Sequence, residues 1–172
     1  MKIFLTGVPG IGKTTVVKKV YSRAPHRFVG FWTTEIREGS RRVGFEIITT
    51  EGQRALLSHV NINSPYRVGR YRVDVEGFER TVMPLLDRAL REKKRIILVD
   101  EIGKMELLSR KFAQWVEKML DSDVDALATI PIKDVHPIVA RIRREFPVIE
   151  VTLKNRDRLP DEIAQKFHLT TG

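Results

Sequence analysis

The sequence predicts an α/β fold: a mostly parallel sheet flanked by helices on both faces. Three observations predict it. A short apolar, β-prone segment, Lys2-Ile3-Phe4-Leu5-Thr6, runs straight into a glycine-rich loop, and the loop runs into a segment with helical apolar spacing. A second apolar run, Ile96-Ile97-Leu98-Val99, ends in two carboxylates, Asp100-Glu101. Further continuous apolar runs alternate with amphipathic stretches along the rest of the chain, as in sheets buried on both faces.

Each element has its own signal. The first βα unit covers about residues 2–23, with helical spacing in Thr15-Val16-Val17-Lys18-Lys19-Val20-Tyr21. Residues 28–73 change character: aromatic and β-branched residues are punctuated by Glu38-Gly39-Ser40, Glu51-Gly52-Gln53 and Asn61-Ile62-Asn63-Ser64-Pro65. These signals predict strands at about 28–37, 42–49 and 53–59 and another near 70–73, joined as antiparallel hairpins inserted at one edge or over the site. A helical pattern runs from Val75 to Glu92, and Pro84 is expected to kink or restart it. Arg95–Val99 reads as a buried strand, Ser109 as the N-cap of a helix over Arg110–Leu120, and Asp125–Ile130 as another strand. A helix near Pro137–Glu145, a strand near 147–153 and a helix near 160–168 complete the chain.

Composition bounds the class. With 172 residues the chain is long enough for one well-packed domain, expected to span 1–172. No apolar run approaches the roughly 20 residues of a membrane span, so no membrane partner is expected. The N-terminal apolar stretch is too short for a signal peptide. The sequence has no cysteine, which excludes disulfides, Cys-based zinc sites and cysteine nucleophiles, and makes a cytoplasmic location the expectation. The excess of 31 Lys and Arg over 22 Asp and Glu, a net charge of +9, fits either a heavily charged surface or a field that steers a polyanion. Because the basic residues are scattered, nucleic acid is not the favoured partner. A monomer suffices for this reading; the sequence does not fix the oligomeric state.

The chemistry sits in two motifs. Gly7-Val8-Pro9-Gly10-Ile11-Gly12-Lys13-Thr14 is a G-x-x-x-x-G-K-[ST] loop in its required context, after a strand and before a helix. Glycines let backbone amides converge on a phosphate, and the helix N-terminus adds partial positive charge. Lys13 reaches the terminal phosphates and Thr14 offers a hydroxyl to Mg²⁺. In a parallel sheet the carboxyl end of Ile96–Val99 faces the same crevice. Asp100 is then placed to hold Mg²⁺ with Thr14, and Glu101 to deprotonate a water that attacks the γ-phosphate. Lys13 and Glu101 are the candidate catalytic pair. Residues Gly7 to Thr15 with Asp100, Glu101, Gly103 and Lys104 form the candidate nucleotide-binding set.

These stretches, taken together with Val99-Asp100-Glu101-Ile102-Gly103-Lys104-Met105-Glu106-Leu107, Gly30–Arg37, Arg42-Val43-Gly44-Phe45, Val68-Gly69-Arg70-Tyr71 and Asn155-Arg156-Asp157, resemble a known family. It is the small P-loop nucleoside-triphosphatases described from thermophiles, which include the cancer-related nucleoside-triphosphatase. The resemblance covers nearly the whole chain, and Asp-Glu-x-Gly-x-Met-Glu is its most specific part. It implies a RecA-like or AAA-like P-loop fold. It also implies Mg²⁺-dependent hydrolysis of ATP, GTP, CTP and UTP to diphosphate and phosphate, with little base selectivity.

Other positions remain open between function and packing. Lys104, Arg37 and Arg156 are candidates for the cation that stabilises the transition state, or are surface charges. Glu106 orients Lys104, contacts the phosphate loop or is a first-turn carboxylate, and Thr129 either senses the γ-phosphate or is an ordinary strand residue. Asn155 and Arg156 lie where a base or ribose could sit, or form a turn. Tyr66-Arg67-Val68-Gly69-Arg70-Tyr71-Arg72 interleaves aromatic and basic residues, as a single-strand-binding surface or a blunted edge strand would. The runs Arg91–Arg95 and Arg141–Arg144 read as solvated helix charges. Histidines 26, 59, 136 and 168 lack metal-ligand spacing, and Trp32 and Trp115 read as packing residues. Two alternatives to hydrolysis stand: a small-molecule or nucleotide kinase, and an ATP-driven nucleic-acid-binding switch.

Overall fold

A computed structural model describes residues 1–169; the last three residues of the expected 1–172 domain lie outside the described residues. Nine strands form one sheet: β1 (Lys2–Thr6), β2 (Phe28–Glu38), β3 (Arg41–Thr49), β4 (Arg54–His59), β5 (Arg67–Val68), β6 (Tyr71–Val73), β7 (Ile96–Val99), β8 (Ala126–Thr129) and β9 (Val148–Glu150). Their order across the sheet is β5-β6-β4-β3-β2-β7-β8-β1-β9. The strands from β2 to β9 in this order are all parallel to their neighbours. The remaining pairings are antiparallel.

Strand alternation sorts the core into two layers. Ile3, Leu5, Ile96, Leu98 and Leu127 point to one face and pack on α1 (Lys13–Arg23) and α5 (Leu159–Lys166). Phe4, Ile97, Val99, Ala126 and Ala128 point to the other, under α2 (Val75–Glu92), α3 (Arg110–Leu120) and α4 (Pro137–Glu145). Helix starts follow local chemistry: Asp74 accepts from the Gly77 amide at 3.0 Å, and Ser109 accepts from the Phe112 amide at 3.0 Å. Helix α2 runs unbroken through Pro84 and does not restart there. Pro84 is exposed, so the carbonyl that loses its amide partner can turn to water. Among the described residues no helix is long and apolar enough to cross a membrane.

The segment 28–73 sits at the sheet edge and also over the site, because β2 serves both regions. Its first four residues, Phe28–Phe31, pair in parallel with Ile96–Val99. The strand then continues beyond the end of β7 and pairs with β3 from Phe31 to Glu38. The antiparallel extension is thereby one continuous wall rising past the carboxyl ends of the parallel strands, where the glycine loop lies.

Candidate active site

The glycine loop ends at Gly12, whose φ of 111° and ψ of 25° lie in the left-handed region that an L side chain disfavours. This residue is the N-cap of α1, so Lys13 and Thr14 occupy the first two helical positions. The first amide of α1 to find a backbone acceptor is that of Val16, which donates to Gly12 O at 3.0 Å. The amides ahead of it are the ordinary orphan donors of a helix start, the kind of group that can bind an anion.

Strand β7 delivers Asp100 to the same place. Asp100 is 3% exposed. Its Oδ2 accepts from Thr14 Oγ1 at 2.7 Å and its Oδ1 from Thr129 Oγ1 at 2.6 Å, while Thr33 Oγ1 donates to its carbonyl at 2.7 Å. Three elements therefore fix this residue, two of them through its carboxylate. Thr129 points at Asp100, so it acts through that carboxylate. Burial pushes the Asp100 carboxyl above its ordinary range, and the Thr129 and Thr14 hydrogen bonds oppose the shift only in part. A buried carboxylate held by two hydroxyls, with no ammonium or guanidinium bonded to it, is a hard oxygen donor set of the kind Mg²⁺ takes together with substrate phosphates. Among the described residues no three His, Cys, Asp or Glu side chains cluster as a metal cage.

Glu101 is half-buried, and its Oε2 accepts from Lys13 Nζ at 3.2 Å; the same ammonium donates to Gly7 O at 3.1 Å. Burial raises the Glu101 carboxyl and the Lys13 charge lowers it, leaving it above its ordinary value. The peptide joining Asp100 to Glu101 is cis. Gly103 leaves room for two carboxylates: a Cβ there would meet Glu101 Oε1 at 2.5 Å and Glu106 Oε1 at 2.9 Å, so those side chains would have to shift.

Pro9, Gly10, Lys13, Thr14, Asp100, Glu101 and Lys104 line one cavity of about 410 Å³. Lys104 stands exposed at its mouth. Gly12 and Thr15 border a second cavity on the other flank of the loop. Gly7 and Ile11 act through their carbonyls, which accept from Lys13 and Arg156, and Val8 is exposed on the loop. Arg37 does not line this cavity: it pairs with Glu35, which does, and donates to Ser40 O at the hairpin tip. Arg156 donates to Ile11 O at 3.0 Å, on the flank away from the carboxylates.

The wall supplies residues that the sequence does not reveal. Glu35, Arg42, Phe45, Leu57 and Val68 line the cavity opposite the carboxylates, beside Met105. A count by twos places Arg42 and Phe45 on opposite faces of β3. A register shift pairs Glu35 with Phe45 but Arg37 with Arg42, skipping Val43. The bulge rotates Arg42 onto the Phe45 face, where its guanidinium lies 5.2 Å from the Phe45 ring and pairs with Glu35. Tyr71 is buried, and its hydroxyl accepts from Arg42 Nε at 2.9 Å and Arg70 Nη2 at 3.1 Å. The Tyr66–Arg72 stretch is thus an edge hairpin with Tyr71 turned inward. Arg141 is bound by Glu117, Asp121 and Glu145, and Arg143 by Asp134, so the 141–144 run is not a free basic patch.

Glu106 is 4% exposed. Burial, then repulsion from Glu101 and Asp100, raises its carboxyl well above the ordinary 4.5. The folded chain thus keeps a proton that the unfolded chain releases above about 4.5, and this contribution makes stability fall as pH rises from there through the raised folded value. Glu106→Gln, which stays neutral, is expected to remove that loss. In thermal melts without nucleotide or divalent cation, its Tm advantage over the parent should be smallest near pH 4.5 and grow with pH. A difference independent of pH would contradict the protonated state.

A glycine loop at a helix start, apposed to an Asp-Glu pair at the carboxyl end of a parallel strand, defines a P-loop nucleotide-binding protein. A family model described as NTPase matches residues 2–164. Nucleoside-triphosphatase THEP1 of Aquifex aeolicus is 49% identical, over 95% of this chain and 97% of that protein. The human cancer-related nucleoside-triphosphatase is 38% identical, over 94% of this chain and 93% of its own length. The crystal structure of THEP1 from the hyperthermophile Aquifex aeolicus superposes with a TM-score of 0.90 at 47% identity, covering 96% of this chain and 98% of that one. The chain belongs to the NTPase family, as the signature around Asp100–Leu107 implies.

Proposed function

We propose that this chain is a Mg²⁺-dependent nucleoside-triphosphatase that hydrolyses ATP, GTP, CTP and UTP to the diphosphate and phosphate. The observation that carries the reading is the pairing across the glycine loop: Thr14 with Asp100, and Lys13 with Glu101. The orphan amides at the start of α1 take the phosphate oxygens. Lys13 exchanges Glu101 for the β- and γ-phosphates. Thr14 and Asp100 would hold Mg²⁺, with Asp100 locked by Thr129, and the ion would supply positive charge to offset that of the phosphates. Glu101, released from Lys13, accepts a proton from the attacking water as the bond between the γ-phosphorus and the bridging oxygen breaks and the diphosphate leaves. Lys104, at the cavity mouth, is the candidate cation for the charge that develops on the transferred group.

Phosphate release from each of the four triphosphates tests the reading. Release is expected from all four, to be abolished by EDTA and restored by Mg²⁺, and to be unchanged by added RNA or DNA. Labelled γ-phosphate recovered in an organic acceptor would make the protein a kinase, and stimulation by nucleic acid would make it a switch.

A further inference from the structure

The reaction above uses one side of the main cavity, formed by Lys13, Thr14, Asp100 and Glu101. The opposite side has no part in it. There Phe45, Leu57, Val68 and Met105 form an apolar surface, and Glu35 and Arg42 a charged end. Phe45, Val68 and Met105 are only half-buried, so the fold leaves apolar surface uncovered in this wall. Phosphate, metal ion and water gain nothing from such a surface, whereas small organic ligands seat on it. The cavity of about 410 Å³ lies within the roughly 300–1,000 Å³ of small-ligand sites, against the roughly 30 Å³ share of one water.

We propose that this wall binds a second small molecule, an amphipathic monocarboxylate. Its carboxylate lies on Arg42 and its ring or branched apolar body on Phe45, Leu57, Val68 and Met105. The place beside the terminal phosphate rests on the nucleoside-triphosphatase reading; the binding itself does not. Arg42 is held in advance. Its Nε donates to the Tyr71 hydroxyl at 2.9 Å and its Nη1 to Glu35 Oε1 at 3.3 Å, and its guanidinium rests against the Phe45 ring. Among the described residues Nη2 has no hydrogen-bond partner. Arg37 pairs with Glu35 more closely, at 2.7 Å, which leaves the Arg42 charge largely unmatched. Arg70, on the same Tyr71 hydroxyl, adds positive charge. A fixed guanidinium with a free nitrogen is preorganised for a carboxylate, and the apolar side chains beside it select against a fully hydrated anion. In an in-line displacement the attacking oxygen enters opposite the leaving diphosphate, from the cavity. A molecule on the wall takes part of that space, so its binding lowers kcat and leaves KM for the triphosphate unchanged.

Benzoate is the test ligand, beside benzamide, which keeps the ring without the charge, and acetate, which keeps the charge without the ring. Each is titrated into the full chain without nucleotide and followed by amide NMR shifts. Benzoate is expected to bind about tenfold more tightly than either, the worth of one charge-assisted hydrogen bond, and to move the amides of Phe45, Val68 and Met105. Arg42→Gln should bring benzoate to the level of benzamide. Val68→Trp, which fills the apolar end and leaves Arg42 in place, should weaken both. In steady-state hydrolysis of Mg·ATP, benzoate should lower kcat in the parent and not in Arg42→Gln. Benzoate that binds the parent no more tightly than benzamide and acetate would overturn the proposal, whatever the variants do. Shifts confined to Gly10–Thr14, with a rise in KM alone, would place the anion in the phosphate loop and overturn it too. A chain that releases phosphate from no triphosphate would overturn the nucleoside-triphosphatase reading; the NMR comparison needs no turnover and would still decide whether the wall binds a carboxylate.

Discussion

Glu101→Gln is expected to bind ATP as tightly as the parent, or more tightly, while its turnover falls by about 10²–10⁴-fold, the usual worth of a general base. The amide keeps the shape and one acceptor but takes no proton. It also removes the ion pair that engages Lys13 at 3.2 Å when no phosphate is bound, so the ammonium reaches substrate without first leaving a carboxylate. The separation of effects is the test. Single-turnover phosphate release should collapse, while titration with a fluorescent nucleotide should show no loss of affinity. Release at the parental rate would remove Glu101 from the mechanism and leave the base to another group in the cavity.

Lys13→Ala is expected to lower kcat/KM by about 10²–10³-fold, the cost of losing one preorganised charge at a transition state. Two physical losses combine. The terminal phosphates lose a cation that is 13% exposed, where screening by water is weak. Glu101 loses the positive charge that opposes its burial, so its carboxyl rises further. Raising the pH should therefore recover part of the kcat lost in Lys13→Ala. The helix itself should persist, because α1 is anchored by Val16, Val17 and Val20, each 2% exposed or less. Circular dichroism matching the parent, beside the loss in kcat/KM, is the expected pair of results. Activity within a few-fold of the parent would exclude Lys13 from transition-state stabilisation.

The half of the site written as contiguous motifs could be read from the residues alone. Lys13 and Thr14 follow from a loop whose spacing has one geometric purpose, and Asp100 from an apolar strand that must end at the same crevice. Their partners could not be read in this way. Thr129 lies 29 residues from Asp100 and bonds its Oδ1; a β-branched residue at a strand end is too common to carry that signal. Arg42 reaches the cavity only because the register slips past Val43, and alternation by twos cannot register such a slip. Glu106 reads as a first-turn carboxylate until the fold buries it against Glu101. Pro84, which argues for a break by its chemistry, sits on an exposed face where the helix tolerates it.

Strand β2 carries one last consequence. Thr33 donates to the Asp100 carbonyl, and two residues on, Glu35 lines the cavity on the same pleated face. The strand that flanks the Asp100 carboxylate is also the spine of the opposite wall. The protein therefore has no seam between engine and casing. The wall cannot be excised, grafted or exchanged as a module, since cutting it away bares the edge of the very strand on which Asp100 leans. Variation in this cavity has to come from side chains on a fixed frame.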